Sequence, residues 1–224
     1  AEQVPVRGVN ALATFTGKPL TMGGSEGREE ATGLGGVFVL EQLAERRGWK
    51  PKETSIAIQG FGNVGYWFAY HAHQRGYKVV AVSGSKGGVY NAQGLDPAAV
   101  LAAKQAGQSW ATLGKEITND ALLALDVDVL VPAALENAIH ADNARTIKAK
   151  TIIETANGPV TPEADEILAS MKVDIIPDVM ANAGGVTTSY FEWVQNLQGY
   201  YWTRPEVLQK LETAMTTAFK LILD

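Results

Sequence analysis

The sequence predicts an α/β fold: a Rossmann-like, doubly wound, mostly parallel sheet with helices on both faces and two extra helices at the C-terminal end. Three observations carry this. Short runs of Val, Ile and Ala alternate with longer stretches of helical spacing. The 23 glycines cluster between those runs and form no low-complexity tract. One strand, glycine turn, helix and strand follow each other within about 30 residues, the size of a βαβ unit. Strands that alternate with helices bury both sheet faces, which favours parallel pairing.

Taken in order, residues 1–27 carry Gly8, Gly17, Pro19, Gly23, Gly24 and Gly27 without a sustained period, and read as a connecting arm to a domain over 28–224. From Glu29, the residues Leu34, Val37, Phe38, Leu40 and Leu43 recur at helical spacing, with Glu in the first turn and Arg46, Arg47 and Gly48 at the end. Residues 55–58 read as a strand, 63–74 as a helix, 78–82 as a second strand and the segment around Val89 as a short third one that ends in the turn 91–94. Helices follow over 96–105 and 119–124, a strand over 127–131, a helix over 141–147, a strand over 151–154, a helix over 162–171 and a strand over 173–176. The tail holds helices over 184–197 and 206–223, separated by Tyr200-Tyr201-Trp202. No internal repeat is present.

Composition excludes several classes of function. Nineteen basic against 24 acidic residues leave a net charge of −5, and no Lys/Arg block is interleaved with aromatics, so neither nucleic acid nor an anionic membrane is an expected partner. The absence of cysteine removes disulfides, thiolate nucleophiles and iron–sulfur ligation, and points to a reducing compartment. The apolar run 127–135 is interrupted by Asp128 and Pro132 and falls short of the ~20 residues of a membrane span. Residues 1–20 lack the pattern of a signal peptide, and the opening Ala1 in place of Met points to trimming or excision. A cytoplasmic location is expected.

The sharpest local feature is Gly60-Phe61-Gly62-Asn63-Val64-Gly65, a match to G-x-G-x-x-G. At this glycine content chance supplies roughly 0.2 such matches in a chain this long, so the setting decides. Here the motif follows a strand and opens a helix, which puts backbone N–H groups and the positive helix end where a pyrophosphate sits, with Gly62 permitting close approach. The competing reading is a glycine turn that only packs helix on strand. Such motifs are commonly followed about 20 residues on by an acid that bonds the ribose hydroxyls. That place falls in Val82-Ser83-Gly84-Ser85-Lys86-Gly87-Gly88, with hydroxyls and one Lys but no carboxylate to repel a 2′-phosphate. The loop leans toward NADP or dual use, although Ser hydroxyls also serve NAD and Lys86 has the ordinary alternative of pointing into solvent.

Ligands of open parallel sheets bind beyond the carboxyl ends of the strands. There the chain places residues 132–137, 155–159 and, after 176, Pro177-Asp178 followed by Asn182-Ala183-Gly184-Gly185, three segments that share small residues plus one amide. Small side chains let a flat cofactor lie against backbone, and an Asn both donates to and accepts from a carboxamide. Singly these are ordinary turns; together at one sheet edge they favour a binding site. His71, His73 and His140 stand at no metal-ligand spacing and read as packing or surface residues, so no metal is expected. No Ser/His/Asp set occurs.

Several segments together resemble the glutamate enzymes of the glutamate/leucine/phenylalanine/valine dehydrogenase superfamily. They are Gly17-Lys18-Pro19-Leu20, Gly27-Arg28-Glu29-Glu30-Ala31-Thr32-Gly33, 59–65, 132–137, Ala156-Asn157-Gly158-Pro159 and 182–186, running on through Ser189 and Phe191-Glu192-Trp193-Val194-Gln195-Asn196 to Trp202. They cover almost the whole chain in order, and the last block looks like the glutamate members of that superfamily. The resemblance implies oxidative deamination of L-glutamate to 2-oxoglutarate and ammonia, with hydride transfer to NAD or NADP. By similarity Thr32 and Asn157 hold the nicotinamide carboxamide, Gly60, Phe61, Gly62, Asn63 and Val64 the pyrophosphate, and Ser83, Ser85 and Lys86 the ribose. Ala133 and Ala134 line the groove, Asn182 sits near the nicotinamide, and Arg28, Val186 and Ser189 face the substrate.

The family's reactive Lys and Asp belong to an N-terminal substrate domain that precedes these segments. That domain is absent from this sequence, so no catalytic residue is assigned, and Ser85-Lys86-Gly87-Gly88 belongs to the ribose loop. Thr155 stands where a Gly is usual, and Gly84 where Asp is common. The expectation is a cofactor domain that is inactive alone, a monomer or dimer by itself and part of a homo-hexamer as the full enzyme. The exposed apolar residues of the tail helices are expected to favour association. The alternative is a stand-alone nucleotide-binding or assembly module that never catalyses; an upstream domain encoded in frame would remove it. Val186 and Ser189 would have no use in such a module.

Overall fold

A computed structural model describes residues 11–223, so the first ten positions of the expected arm lie outside the described residues. Its strands are β1 (Ser55–Gln59), β2 (Lys78–Gly84), β3 (Gly87–Tyr90), β4 (Lys115–Ile117), β5 (Val129–Pro132), β6 (Thr151–Ile153) and β7 (Asp174–Ile176). They form one sheet in the order β4-β3-β2-β1-β5-β6-β7. β2, β1, β5, β6 and β7 run parallel, while β3 and β4 extend the β2 edge antiparallel. The helices are α1 (Ala31–Arg47), α2 (Asn63–Gln74), α3 (Pro97–Gln105), α4 (Asn119–Leu123), α5 (Ala141–Ala144), α6 (Pro162–Ser170), α7 (Asp178–Ala181), α8 (Gly184–Gln198) and α9 (Arg204–Leu223).

The doubly wound α/β arrangement is the one the sequence predicts, with local differences. β4 was not expected: its Lys-Glu-Ile run has no period of its own and exists through pairing with β3. The helix read over 141–147 closes after Ala144, with His140 and Asn143 bonding each other across its first turn. α7 is a single turn between Pro177 and Asn182, too short to leave a periodic signal.

Alternation along the strands divides the core. Ile56, Ile58, Val79, Val129, Val131 and Ile153 face α1 and α2, and Ala57, Leu130 and Ile152 face the layer of Leu122, Ile139, Ala164 and Leu168. A register shift between β1 and β2 inserts one residue, so Val80 and Ala81 both reach the second face. Four residues of α9 at helical spacing, Val207, Leu211, Met215 and Phe219, are buried, and α9 packs on α1.

The described part of the arm is packed against α8. The buried Glu192 carboxylate accepts from Lys18 Nζ at 2.6 Å and from Gly17 N at 2.8 Å. Asn196 Nδ2 donates to Gly23 O at 2.8 Å and Gln195 Nε2 to Ser25 Oγ at 2.9 Å. Burial raises the pKa of Glu192, but these hydrogen bonds and the Lys18 charge outweigh it and hold the carboxyl below its usual range.

Glycine sets the distances between helices. A Cβ on Gly33 would fall 2.5 Å from Phe68 N, one on Gly35 2.9 Å from Gly184 Cα, and one on Gly184 2.1 Å from Ala31 O. α1 therefore touches α2 and α8 backbone to backbone. Gly33→Ala should destabilise the fold by about 1–3 kcal/mol through overpacking, read as a lower urea midpoint at unchanged slope.

Candidate functional site

The chain leaves β1 for β2 on one side and returns to β5 on the other, so β1 and β5 flank a topological switch point, where open α/β sheets form a crevice. Each glycine of the turn after β1 has its own geometric task. Gly60 adopts φ +101° and would place a Cβ 2.6 Å from Ala134 Cβ. Gly65 would place one 1.9 Å from Gly60 O, and this closeness seats α2 on the turn. Gly62 faces open space, with nothing within 4 Å of a Cβ. Gly60 N and Phe61 N donate to Ser83 O at 3.1 and 2.6 Å, and Lys104 Nζ donates to Phe61 O at 2.6 Å. The Phe61 ring is buried, edge-on to Tyr66 and Trp110, so only its backbone faces the turn's surroundings. Asn63 Nδ2 donates to Glu29 O at 2.8 Å and ties the first residue of α2 to the start of α1.

At the end of β2, Ser83 is fully buried and its hydroxyl is 2.6 Å from Asn119 Oδ1, while Asn119 Nδ2 donates to Gly84 O at 3.1 Å. Ser83 therefore shapes the loop, and the side chains it exposes are Ser85 and Lys86. Both line a cavity of about 550 Å³ that Lys104, Ser109, Trp110 and Glu116 complete.

The ends of β5, β6 and β7 are laced together. Ala133 N donates to Gln59 O at 2.8 Å. Thr155 N, Thr155 Oγ1 and Ala156 N all donate to Pro132 O, which accounts for a Thr at that position. Asn182 Nδ2 donates to Asn157 Oδ1 at 2.6 Å, so two residues 25 apart in sequence form one polar pair. Gly36 packs on Thr155, placing α1 beside the same loop.

The remaining candidates meet where α1 and α8 begin. Arg28 Nε donates to Ser189 Oγ at 3.1 Å, and a Cβ on Gly185 would fall 2.5 Å from Thr32 Oγ1 and 3.7 Å from an Arg28 terminal nitrogen. Val186, three residues before Ser189, is 70% exposed. Beneath this cluster the buried Glu30 carboxylate accepts from His71 Nε2 at 2.7 Å and from Arg204 Nε and Nη2 at 2.6 and 2.7 Å. Burial raises the pKa of Glu30, but the His71 and Arg204 hydrogen bonds more than offset it, and the carboxyl lies below its ordinary range. His71 is thus a packing residue, stacked on Trp67.

The profile of the Glutamate/Leucine/Phenylalanine/Valine dehydrogenase family matches residues 23–224. The chain belongs to this dehydrogenase family. It is 52% identical over 96% of its length to the glutamate dehydrogenase of Thermotoga maritima, of which it covers 53%. To the NADP-specific glutamate dehydrogenase of Synechocystis it is 49% identical, over 91% of this chain and 50% of that one. The crystal structure of glutamate dehydrogenase from Peptoniphilus asaccharolyticus superimposes with a TM-score of 0.84 at 42% identity, covering 98% of this chain and 52% of that one. The chain spans about half the length of the curated relatives it matches. NADP-specific and NAD-specific enzymes both occur among those relatives. No helix among the described residues is long and apolar enough to cross a membrane.

Lys104, Trp110, Asn119 and Glu154 also shape the site and stand in none of the segments that mark it in the sequence. The first three support the glycine turn and the β2 loop from 35 or more positions away, with no motif of their own. Glu154 ends β6 as a buried acid, and only its place at a strand end could have marked it. Burial pushes the Glu154 carboxyl up to about 7, with the Asp178 and Asp165 charges adding to the shift against backbone hydrogen bonds that lower it. From an ordinary value of 4.5, the folded protein binds more protons than the unfolded chain between about pH 4.5 and 7. This group's contribution to stability therefore falls as pH rises through that window and levels off above it. Glu154→Gln should remove that slope: the variant should gain about 3 kcal/mol relative to wild type between pH 4.5 and 8, read from paired urea midpoints.

Proposed function

We propose that this chain is the cofactor-binding domain, residues 28–224, of a glutamate dehydrogenase, with 1–27 as the segment connecting it to a substrate domain. The full enzyme would deaminate L-glutamate oxidatively to 2-oxoglutarate and ammonia, as a homo-hexamer, in the cytoplasm. The observation that carries the reading is the Gly60–Gly65 turn at the sheet's switch point, with the one face of the turn that a ligand needs left open at Gly62. The residues fit a dinucleotide. Gly62, Asn63 and Val64 open α2 with free backbone N–H groups suited to a pyrophosphate. Ser85 and Lys86 offer a hydroxyl and a cation at the cavity by the β2 loop, suited to a ribose with or without a 2′-phosphate, with Ser83 and Asn119 holding that loop. Ala133 and Ala134 keep the groove wall low, and Thr32, Asn157 and Asn182 supply donors and acceptors for a carboxamide. When bound, NAD or NADP accepts the hydride from the substrate carbon.

Arg28, Val186 and Ser189 would meet the substrate. A guanidinium and a hydroxyl in contact suit a carboxylate, and an exposed Val suits the methylene chain beside it. The reacting acid and base would come from the substrate domain, so this chain would bind cofactor without turnover.

Titrating the chain with NADH and NADPH, by nicotinamide fluorescence or calorimetric heat, tests the reading. At least one should bind, with no glutamate-dependent reduction of NAD or NADP by the chain alone; binding of neither overturns the cofactor assignment, and turnover overturns the inactivity. Gly62→Ala separates binding from folding. Its φ of −85° suits Ala and no atom lies within 4 Å of the new methyl, so stability should hold while affinity falls about tenfold or more.

A further inference from the structure

The pair assigned above to the carboxamide does not hold itself in place. Asn157 lies exposed in the loop after β6, and Asn182 is the residue that ends the single-turn α7. Their mutual hydrogen bond depends on how that loop sits against that turn. One side chain joins the two. Asp178, the first residue of α7, accepts from Gly158 N through Oδ2 at 2.8 Å and from Val179 N through Oδ1 at 2.6 Å. Gly158 is in the left-handed region at φ +50°, so its N–H direction is fixed by the turn that presents Asn157. Asp178 is anchored in turn from below: its own N–H donates at 2.9 Å to Oε2 of Glu154, which is 7% exposed. The contact with Val179 is local, between neighbours in the chain, but the bond across to Gly158 reaches 20 residues back along the chain.

We propose that Asp178, seated on Glu154, is the positioning residue for the Asn157–Asn182 pair, locking the loop after β6 to the turn after β7 so that both amides face the nicotinamide carboxamide. The role rests on the cofactor reading given above. Asp178 touches no cofactor atom in this assignment; it acts through the Gly158 backbone and through the placement of α7. Losing it would free the loop without removing any group that binds.

The test combines amide hydrogen exchange at Gly158, followed by NMR, with NADH and NADPH titration of the same samples. Asp178→Ala should speed Gly158 exchange and weaken binding of the preferred cofactor, each by about tenfold, the worth of one hydrogen bond. Asp178→Asn keeps one acceptor oxygen for Gly158 N, losing only the local bond from Val179 N, and should restore both to within about twofold of wild type. That rescue is not expected if Asp178 matters only as a charge. Should the alanine variant fail to fold, Asp178→Ser repeats the test, since its shorter side chain keeps a local acceptor and loses the reach to Gly158. Unchanged Gly158 exchange, or unchanged affinity in a variant whose wild type binds, overturns the positioning role alone. Absence of binding in the wild type overturns the cofactor reading and this role with it, whatever the exchange shows.

Discussion

The architecture depends on the absence of side chains where α1 crosses its neighbours. Gly33 lets α1 lie against the backbone of α2, and Gly35 and Gly184 let it meet α8 at a separation no other residue pair allows. Because α8 begins at that crossing, Ser189 comes within reach of Arg28, and Thr32 lies beside Gly185. Because α2 is also held there, the glycine turn that precedes it stays at the ends of β1 and β5. A larger residue at any of these points would collide with backbone across the crossing and push the two halves of the candidate site apart.

Three buried or nearly buried carboxylates then fix what close packing brings together. Glu30 joins α1 to α2 and α9 through His71 and Arg204, and Glu192 joins α8 to the arm through Lys18. Glu154 joins the ends of β6 and β7 by accepting from the Asp178 backbone N–H. The first two have cationic partners and stay ionised. The third has none, and burial beside Asp178 moves its titration to near neutrality. Buried ion pairs add little net stability, because desolvation offsets attraction, but losing one partner leaves an uncompensated charge. Their effect here is on geometry: each ties together segments more than 20 positions apart.

Much of this was legible in the chain. The glycine motif, its place between strand and helix, and the small-residue segments at strand ends each reflect local chemistry, and the structure puts them at one edge of the sheet. Ser83 illustrates the limit. The resemblance implies that it contacts the ribose, yet the structure buries it against Asn119, which no pattern connects to it. Lys104 likewise bonds the Phe61 carbonyl from a helix 43 positions away. β4 left no signal because an edge strand of three residues exists only through its neighbour.

The sequence by itself determined the order of the strands and helices other than β4 and α7, the mostly parallel sheet and the turn that opens α2. Those follow from periodicity, backbone freedom at glycine and the burial of alternating apolar residues, which act over a few residues. Only the tertiary structure decided which polar groups are free to meet a ligand and which are spent holding the frame. That distinction depends on partners remote in the chain, as with Asn157 and Asn182, Asp178 and Gly158, or Glu192 and Lys18. A hydrogen bond forms between whatever groups the packing of glycine against backbone brings within 3 Å, and sequence spacing carries no record of it.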